Sequence, residues 1–376
     1  MVNFVLIILI IATTTVIGNE IYDTHAAKVD RLLKKLNKPA LKSIKSPDGD
    51  IIDCVHMKNH PIYDHPLLRN HTIQMRPSSY PEGWNTEPSH TKKENIATQL
   101  WTINGKCPKN SIPIRRTRRE DILRAKSIES YGKKYPNNFR MHNRTNSTSN
   151  DEIHELKATI NEFSLAQIWL MAGPNQELNS IEFGWQVYQA RYGDYNPRYF
   201  TFWTANGYRT GCYNLECGFV QIDQGFALGA AVTPVSTLNG EQYHIPATIW
   251  KDSRTGNWWL KLNYHILVGY WPSTLFNHLQ NGANRVEWGG EILDFKVGAR
   301  HTSTWMGSGN FAQEGYTKAS YFRNLKIYNE YNIWKKIPRG DTFATKETCY
   351  NIRSSYDTVW GNYFYYGGPG RNQNCM

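Results

Sequence analysis

From about residue 155 onward the chain is divided into short β-branched and aromatic runs separated by turn residues. The runs are "RYFTFWT" (Arg198–Thr204), "FVQI" (Phe219–Ile222), "ATIWKD" (Ala247–Asp252), "NWWLKL" (Asn257–Leu262) and "HILVGYW" (His265–Trp271). Between them stand Asn206-Gly207, Asn239-Gly240, Thr255-Gly256 and Asn281-Gly282. Such spacing predicts an antiparallel β-sandwich or barrel, because each run is long enough for one strand and each turn pair admits a tight reversal. One stretch reads as a helix, "PSTLFNHLQNGA" (Pro272–Ala283), with Pro at its start and Asn-Gly near its end. The chain is therefore expected to be mainly β, with a small α+β region in front.

The N-terminal part is organised differently. Val2–Gly18 is a short apolar run ending in small residues, expected as a signal peptide over 1–18, although it lacks a basic start. Residues 19–48 predict an exposed helix, with Val29, Leu32, Leu33 and Leu36 at helical spacing before Pro39. Asp50–Met57 reads as a strand, 59–92 shows little periodicity, and a basic helix follows Thr117. The pairs Arg115-Arg116 and Arg118-Arg119 are either processing sites or a solvated helix start. Polar "KKYPNNFRMHNRTNSTSNDE" (Lys133–Glu152) has linker chemistry and is where a protease would most easily cut. The expected units are 19–132, a linker over 133–152 and a β domain over 153–376.

Six cysteines, Cys54, Cys107, Cys212, Cys217, Cys349 and Cys375, fall in three well-separated pairs and suggest three disulfides, with the connectivity open. Asn70, Asn143 and Asn146 stand in N-x-S/T acceptors. Both features suit an exported chain. Residues 1–150 carry 24 Lys+Arg against 13 Asp+Glu, whereas residues 151–376 carry 19 of each, so the whole net charge of +11 belongs to the N-terminal part. A nucleic-acid binder needs its basic patch on the functional domain, which argues against that class.

Several catalytic signatures fail. "IHELKA" has Ala158 where a second zinc-binding His must stand, "MGSGN" lacks nucleophile-elbow spacing, and the cysteines are committed to bridges. No metal or cofactor is expected. Carboxylates on strands remain. In "SIEFGWQV" (Ser180–Val187), alternation puts Glu182, Gly184 and Gln186 on one face and Ile181, Phe183, Trp185 and Val187 on the other. In "RVEWGGEILDF" (285–295), Glu287, Gly289 and Glu291 share a face, backed by Trp288 and Ile292. A carboxylate beside a glycine gap is either a wet face or an open catalytic cleft.

The motifs "IEFGWQV", "FTFWTANGYRTGCYNLECGFVQ", "LVGYWPSTLF", "VEWGGEI", "HTSTWMGSG" and "KASYFRNL" resemble, in order, the plant neprosin family. Those proteins are secreted glutamic prolyl endopeptidases with an activation domain before the catalytic one. The resemblance implies a catalytic pair at Glu182 and Glu291, with Glu287 as a competing position on the second strand. It also implies disulfides Cys54–Cys107, Cys212–Cys217 and Cys349–Cys375. Gln186 is a candidate to orient water or stabilise an oxyanion, and Trp288 a candidate to support substrate. "NLECGF" departs from the family by a shorter loop that sets Glu216 beside Cys217. A residue bordering the cleft there would change substrate preference.

Two carboxyls in one desolvated site share a proton, so one can serve as base on a water and the other as acid. The expected function is a secreted proenzyme that cuts proline-containing peptides after proline at acidic pH, outside the cell in the apoplast, as a monomer. Its own basic leader would be the inhibitor, held by ion pairs on an acidic cleft and released by acid. Nucleic acid and, after signal cleavage, membrane are not expected as partners. The alternatives are a non-catalytic β-sandwich that binds cell-wall polysaccharide, or a family member with altered specificity.

Overall fold

The computed structural model describes residues 25–84, 95–134, 146–152, 158, 162–293, 300–335, 337 and 341–376. The apolar run 2–18, most of the 133–152 linker and Asn143 lie outside them. Among the described residues no helix is long and apolar enough to cross a membrane.

The leader folds around a small antiparallel sheet. A helix over 25–36 ends three residues before Pro39, and residues expected to extend it form instead the strand Ala40–Lys45. Proline removes a donor and fixes φ, so the helix stops and the chain turns into extended structure. This strand pairs with Ile51–His56, which pairs with Ser111–Arg115. The Cys54–Cys107 disulfide ties the sheet to the loop behind it. A helix of barely more than one turn, Arg119–Leu123, follows Thr117 as expected. The first dibasic pair is structural: Arg115 is buried between Asp50 and Asp121, and Arg116 pairs with Asp53 at 2.6 Å. Arg118 and Arg119 at the start of the short helix keep half-exposed side chains.

Two antiparallel sheets form the β domain. A five-stranded sheet runs Arg285–Ile292, Phe163–Ala172, Asn179–Tyr188, Arg198–Ala205 and Cys212–Tyr213. A nine-stranded sheet runs from Val220–Gln221 through Ile266–Trp271, Trp258–Leu262, His244–Lys251 and Asn146–Glu152. It continues through Ser320–Tyr328 and Gly361–Gly367 to Asn351–Asp357, and Trp334–Lys335 pairs with Ser320–Tyr328 off this path. Ile181, Phe183, Trp185 and Val187 point from the first sheet into a core that also holds Ile249, Leu260 and Val268 of the second. The alternation read from "SIEFGWQV" is thus the one that builds the sandwich.

Two expectations are corrected. Asn146–Glu152, assigned to the linker, is a strand between His244–Lys251 and Ser320–Tyr328. Its polar composition hides it, because backbone pairing on both sides, rather than an apolar face, defines it. Pro272–Ala283 is not a helix but two 3-10 turns, Ser273–Leu275 and Leu279–Asn281. The Asn179 carboxamide oxygen accepts from the N–H groups of Asn277, His278 and Leu279 at 3.1, 2.8 and 3.2 Å, which takes the donors a continuous helix would use.

The nine-stranded sheet is covered on its second face by the leader. Trp250, Trp259 and Tyr270 register opposite one another across three strands. Over them lie Gln74, whose N–H donates to the Tyr270 hydroxyl at 2.8 Å, and Trp84, 5.0 Å from the Trp250 ring. Lys261 sits 3.8 Å from the Trp84 ring centroid, and the Asp252 carboxylate accepts from the Ser78 N–H and hydroxyl, both at 2.7 Å.

Candidate active site

The five-stranded sheet turns its other face to the leader. Cross-strand register sets Glu182 opposite Trp169, and Glu291 opposite Leu165, so the strand Phe163–Ala172 separates them. Gln167 lies between them on that strand, opposite Gly184 on one side and Gly289 on the other. A Cβ at Gly184 would come 2.0 Å from the Ala166 carbonyl oxygen, so only glycine lets these strands approach. Beside Gly289 there is open space, which answers what the glycine in "EWGGE" is for: it leaves room on the face that carries the carboxylate.

Lys134 of the leader fills that face. Its ammonium nitrogen lies 2.8 Å from Glu182 Oε2 and 2.7 Å from Glu291 Oε2. The two oxygens can therefore be no farther apart than those two lengths combined. Lys134 and Glu182 are fully enclosed, and Glu291 is 9 % exposed. The ammonium also lies 5.8 Å from the Phe163 ring centroid and 5.9 Å from that of Trp169. Burial alone would push the lysine toward its neutral form, but the two carboxylates hold it above its ordinary range.

The two glutamates are held differently. Glu182 Oε1 accepts from Ser180 Oγ and from the Tyr208 hydroxyl, both at 2.8 Å, and its Oε2 accepts from Gln167 Nε2 at 3.1 Å. Tyr208 is aimed there by the predicted Asn206-Gly207 turn, in which Asn206, Gly207 and Tyr208 all take positive φ, and its ring stacks on Phe202. Glu291 Oε1 has no hydrogen-bond partner among the described residues. Burial raises the Glu291 carboxyl above the ordinary carboxylate range; Lys134 opposes that shift and the Glu182 charge adds to it.

Of the other sequence candidates, Glu287 lies 3.6 Å from Arg285 and opposite Trp169. Gln186 is on the dyad's face but farther along the strand, its Nε2 donating to the Tyr192 hydroxyl at 3.2 Å. Trp288 is corrected: it registers with Ile168 and packs on the inter-sheet core, because alternation turns it away from its neighbours Glu287 and Gly289. Sequence reading missed Lys134, Gln167, Ser180 and Tyr208. Two of them carried a signal. Ser180 is two residues from Glu182 and so on its face, and Gln167 is a lone amide in the buried run "FSLAQIWLMA".

The bridges are those expected, Cys54–Cys107, Cys212–Cys217 and Cys349–Cys375. Of the glycosylation acceptors, Asn70 is exposed and Asn146 begins the added strand.

The leader's contacts also correct the sign of the charge expectation. Lys134 meets carboxylates, as a basic leader should. At Arg198 the order is reversed, since Asp50 and Asp48 of the leader meet an arginine of the β domain that also binds Asp194 at 2.6 Å. The interface is matched pair by pair rather than by net charge.

An antiparallel sandwich with a buried acidic pair, stoppered by a lysine from its own leader, is the architecture of a latent protein. Residues 160–369 match the Neprosin family and residues 43–161 match the Neprosin activation peptide, so this chain belongs to the Neprosin family. The expected leader is thus an activation peptide. Among solved structures, the crystal structure of Scytalido-glutamic peptidase with a peptide based transition state analog is similar at 12 % identity. The similarity covers 61 % of this chain and 94 % of that chain, with a TM-score of 0.30.

Proposed function

We propose that this chain is the proenzyme of a secreted glutamic endopeptidase that hydrolyses peptide bonds after proline at acidic pH, with Glu182 and Glu291 as its catalytic pair. Family membership and the activation peptide support a peptidase. The single observation that carries the site assignment is the Lys134 ammonium, at hydrogen-bond distance from both carboxylates where a shared water would stand. Three disulfides support an oxidising compartment.

The unequal surroundings divide the work. Glu182, whose two oxygens are oriented by three neutral donors, is placed to act as base. Glu291, desolvated and without a donor for Oε1, is built to hold a proton. With Lys134 withdrawn, Glu182 takes a proton from the shared water as its oxygen attacks the scissile carbonyl carbon. Glu291 gives its proton to the carbonyl oxygen, which becomes a hydroxyl in the tetrahedral intermediate. Collapse then breaks the C–N bond, the leaving nitrogen takes the proton held by Glu182, and the hydroxyl proton returns to Glu291. Phe163 and Trp169, which now flank the lysine, offer flat surfaces for a proline ring. A cut within 135–145 separates the inhibitor while leaving the strand Asn146–Glu152 in its sheet.

The test is acid incubation of the full chain with a proline-containing peptide and, separately, with insoluble glucan. Cleavage after proline, lost in Glu182→Gln and in Glu291→Gln, supports the proposal. An intact peptide with retention on glucan favours a polysaccharide-binding sandwich instead.

A further inference from the structure

The activation peptide does more at the cleft than deliver one ammonium. Its last described residues, Tyr131–Lys134, run along the glutamate face toward the dyad. The Gly132 carbonyl oxygen accepts the Tyr213 N–H at 3.1 Å, a main-chain bond to the edge strand of the catalytic sheet. Tyr131 and Gly132 lie in a turn, closed by the Lys133 N–H donating to the Ser130 carbonyl at 3.2 Å, and beyond it Lys133 is exposed and Lys134 buried. Tyr131 lies with its ring centroid 5.3 Å from the Arg191 guanidinium, which is itself 4.4 Å from the Tyr213 ring and paired with Glu216. Glu216 borders the same segment, since a Cβ at Gly132 would fall 2.0 Å from Glu216 Oε2. The segment thus meets a side-chain seat, a backbone anchor and the reacting pair in succession.

We propose that the seat of Tyr131 is a substrate subsite of the β domain that takes an aromatic side chain, with Arg191 as its platform. The inference rests on the peptidase reading above and deepens it. An aromatic ring on a buried, carboxylate-fixed guanidinium gains cation–π attraction without having to order the cation. A substrate running in the same direction as Tyr131–Lys134 places its aromatic residue on the amino-terminal side of the scissile bond, three residues before the one that meets the dyad. Arg191 and Glu216 form the ion pair that holds this seat, and Glu216 is the residue that the short "NLECGF" loop sets beside Cys217.

Two measurements on the acid-activated full chain test this. The first is kcat/KM on proline-containing peptides carrying Tyr or Ala at successive upstream positions. One position should favour Tyr about tenfold, and Arg191→Met should reduce that preference to within about twofold. A flat upstream profile, or a preference that survives in Arg191→Met, overturns the subsite. The second is inhibition by the synthetic peptide Ser-Ile-Glu-Ser-Tyr-Gly-Lys-Lys, residues 127–134. Its Tyr131→Ala form should bind about tenfold more weakly by calorimetry, and equal binding overturns the proposal even where Arg191→Met fails to fold. Absence of cleavage for every peptide overturns the peptidase reading, whereas the calorimetric arm still reads the seat itself.

Discussion

Lys134 and Glu291 face each other at 2.7 Å in a site where the lysine has no exposure to solvent, and the same ammonium is shared with Glu182. One cation against two carboxylates leaves a net negative charge in a buried place. Removing that cation should be costly for the closed form and liberating for the open one.

Replacement of Lys134 by Met is expected to remove latency. Breaking a buried pair by deleting one partner typically costs about 3 kcal/mol, because a charge is left uncompensated. The Lys134→Met chain should melt at lower temperature than wild type at neutral pH, with the difference shrinking as acid protonates Glu291. It should also cut a proline-containing peptide without a lag. Calorimetry and a progress curve check both, and a wild-type lag in the variant would contradict the plug.

The two glutamates should fail in different ways when made isosteric and neutral. Glu182→Gln and Glu291→Gln are each expected to lower the rate by about 10³-fold, the size of a lost acid–base group. Glu291→Gln should still leave Lys134 one anionic partner at Glu182, where Ser180, Tyr208 and Gln167 converge. Its melting temperature should therefore stay closer to wild type than that of Glu182→Gln.

Acid should open the cleft before it frees the rest of the activation peptide. Lys134 opposes the burial that raises the Glu291 carboxyl, so acid that protonates Glu291 neutralises one of the two carboxylate partners of the ammonium and weakens the plug. Because burial lifts Glu291 above the ordinary carboxylate range even with Lys134 in place, this weakening comes at higher pH than any loss at Asp252. Asp252, which holds Gln74, Ser78 and Ser79, is depressed from 3.8 to about 2, so its contribution is complete above 3.8 and lost only as pH falls through about 2. Peptide cleavage should therefore appear in mild acid with the nicked leader still attached in size-exclusion chromatography, and detachment should need stronger acid or Asp252→Asn.

Gly132 should be intolerant of any side chain. It holds a φ of 78° and its Cβ would collide with Glu216. Gly132→Ala is expected to loosen the segment before Lys134 and shorten the activation lag several-fold, and the double variant with Glu216→Ala should restore part of the wild-type lag. Progress curves at fixed pH distinguish the two.

What the sequence made legible follows from what alternation can see. Alternation put Glu182, Glu287 and Glu291 on carboxylate faces, because each strand has an apolar face that fixes which side its carboxylates take, and the family resemblance chose Glu291 over Glu287. The same alternation turns the Trp288 ring away from Gly289 and into the inter-sheet core, which the substrate-support expectation overlooked. Lys134 was illegible for the opposite reason. It sits in "KKYPNN", a polar run with the composition of a linker, and its position depends wholly on a tertiary path past Tyr213 and Glu216. The strand Asn146–Glu152 was hidden likewise, defined by neighbours on both sides rather than by its own side chains.

The wall formed by Trp250, Trp259 and Tyr270 carries a last consequence. It is roofed by Gln74, Ser79 and Trp84, residues on the far side of any cut in 135–145. Severing the chain does not by itself bare that wall. A matured molecule either travels with its detached roof as a lasting second subunit, or sheds it and meets its surroundings with three fresh indole and phenol rings on one flank.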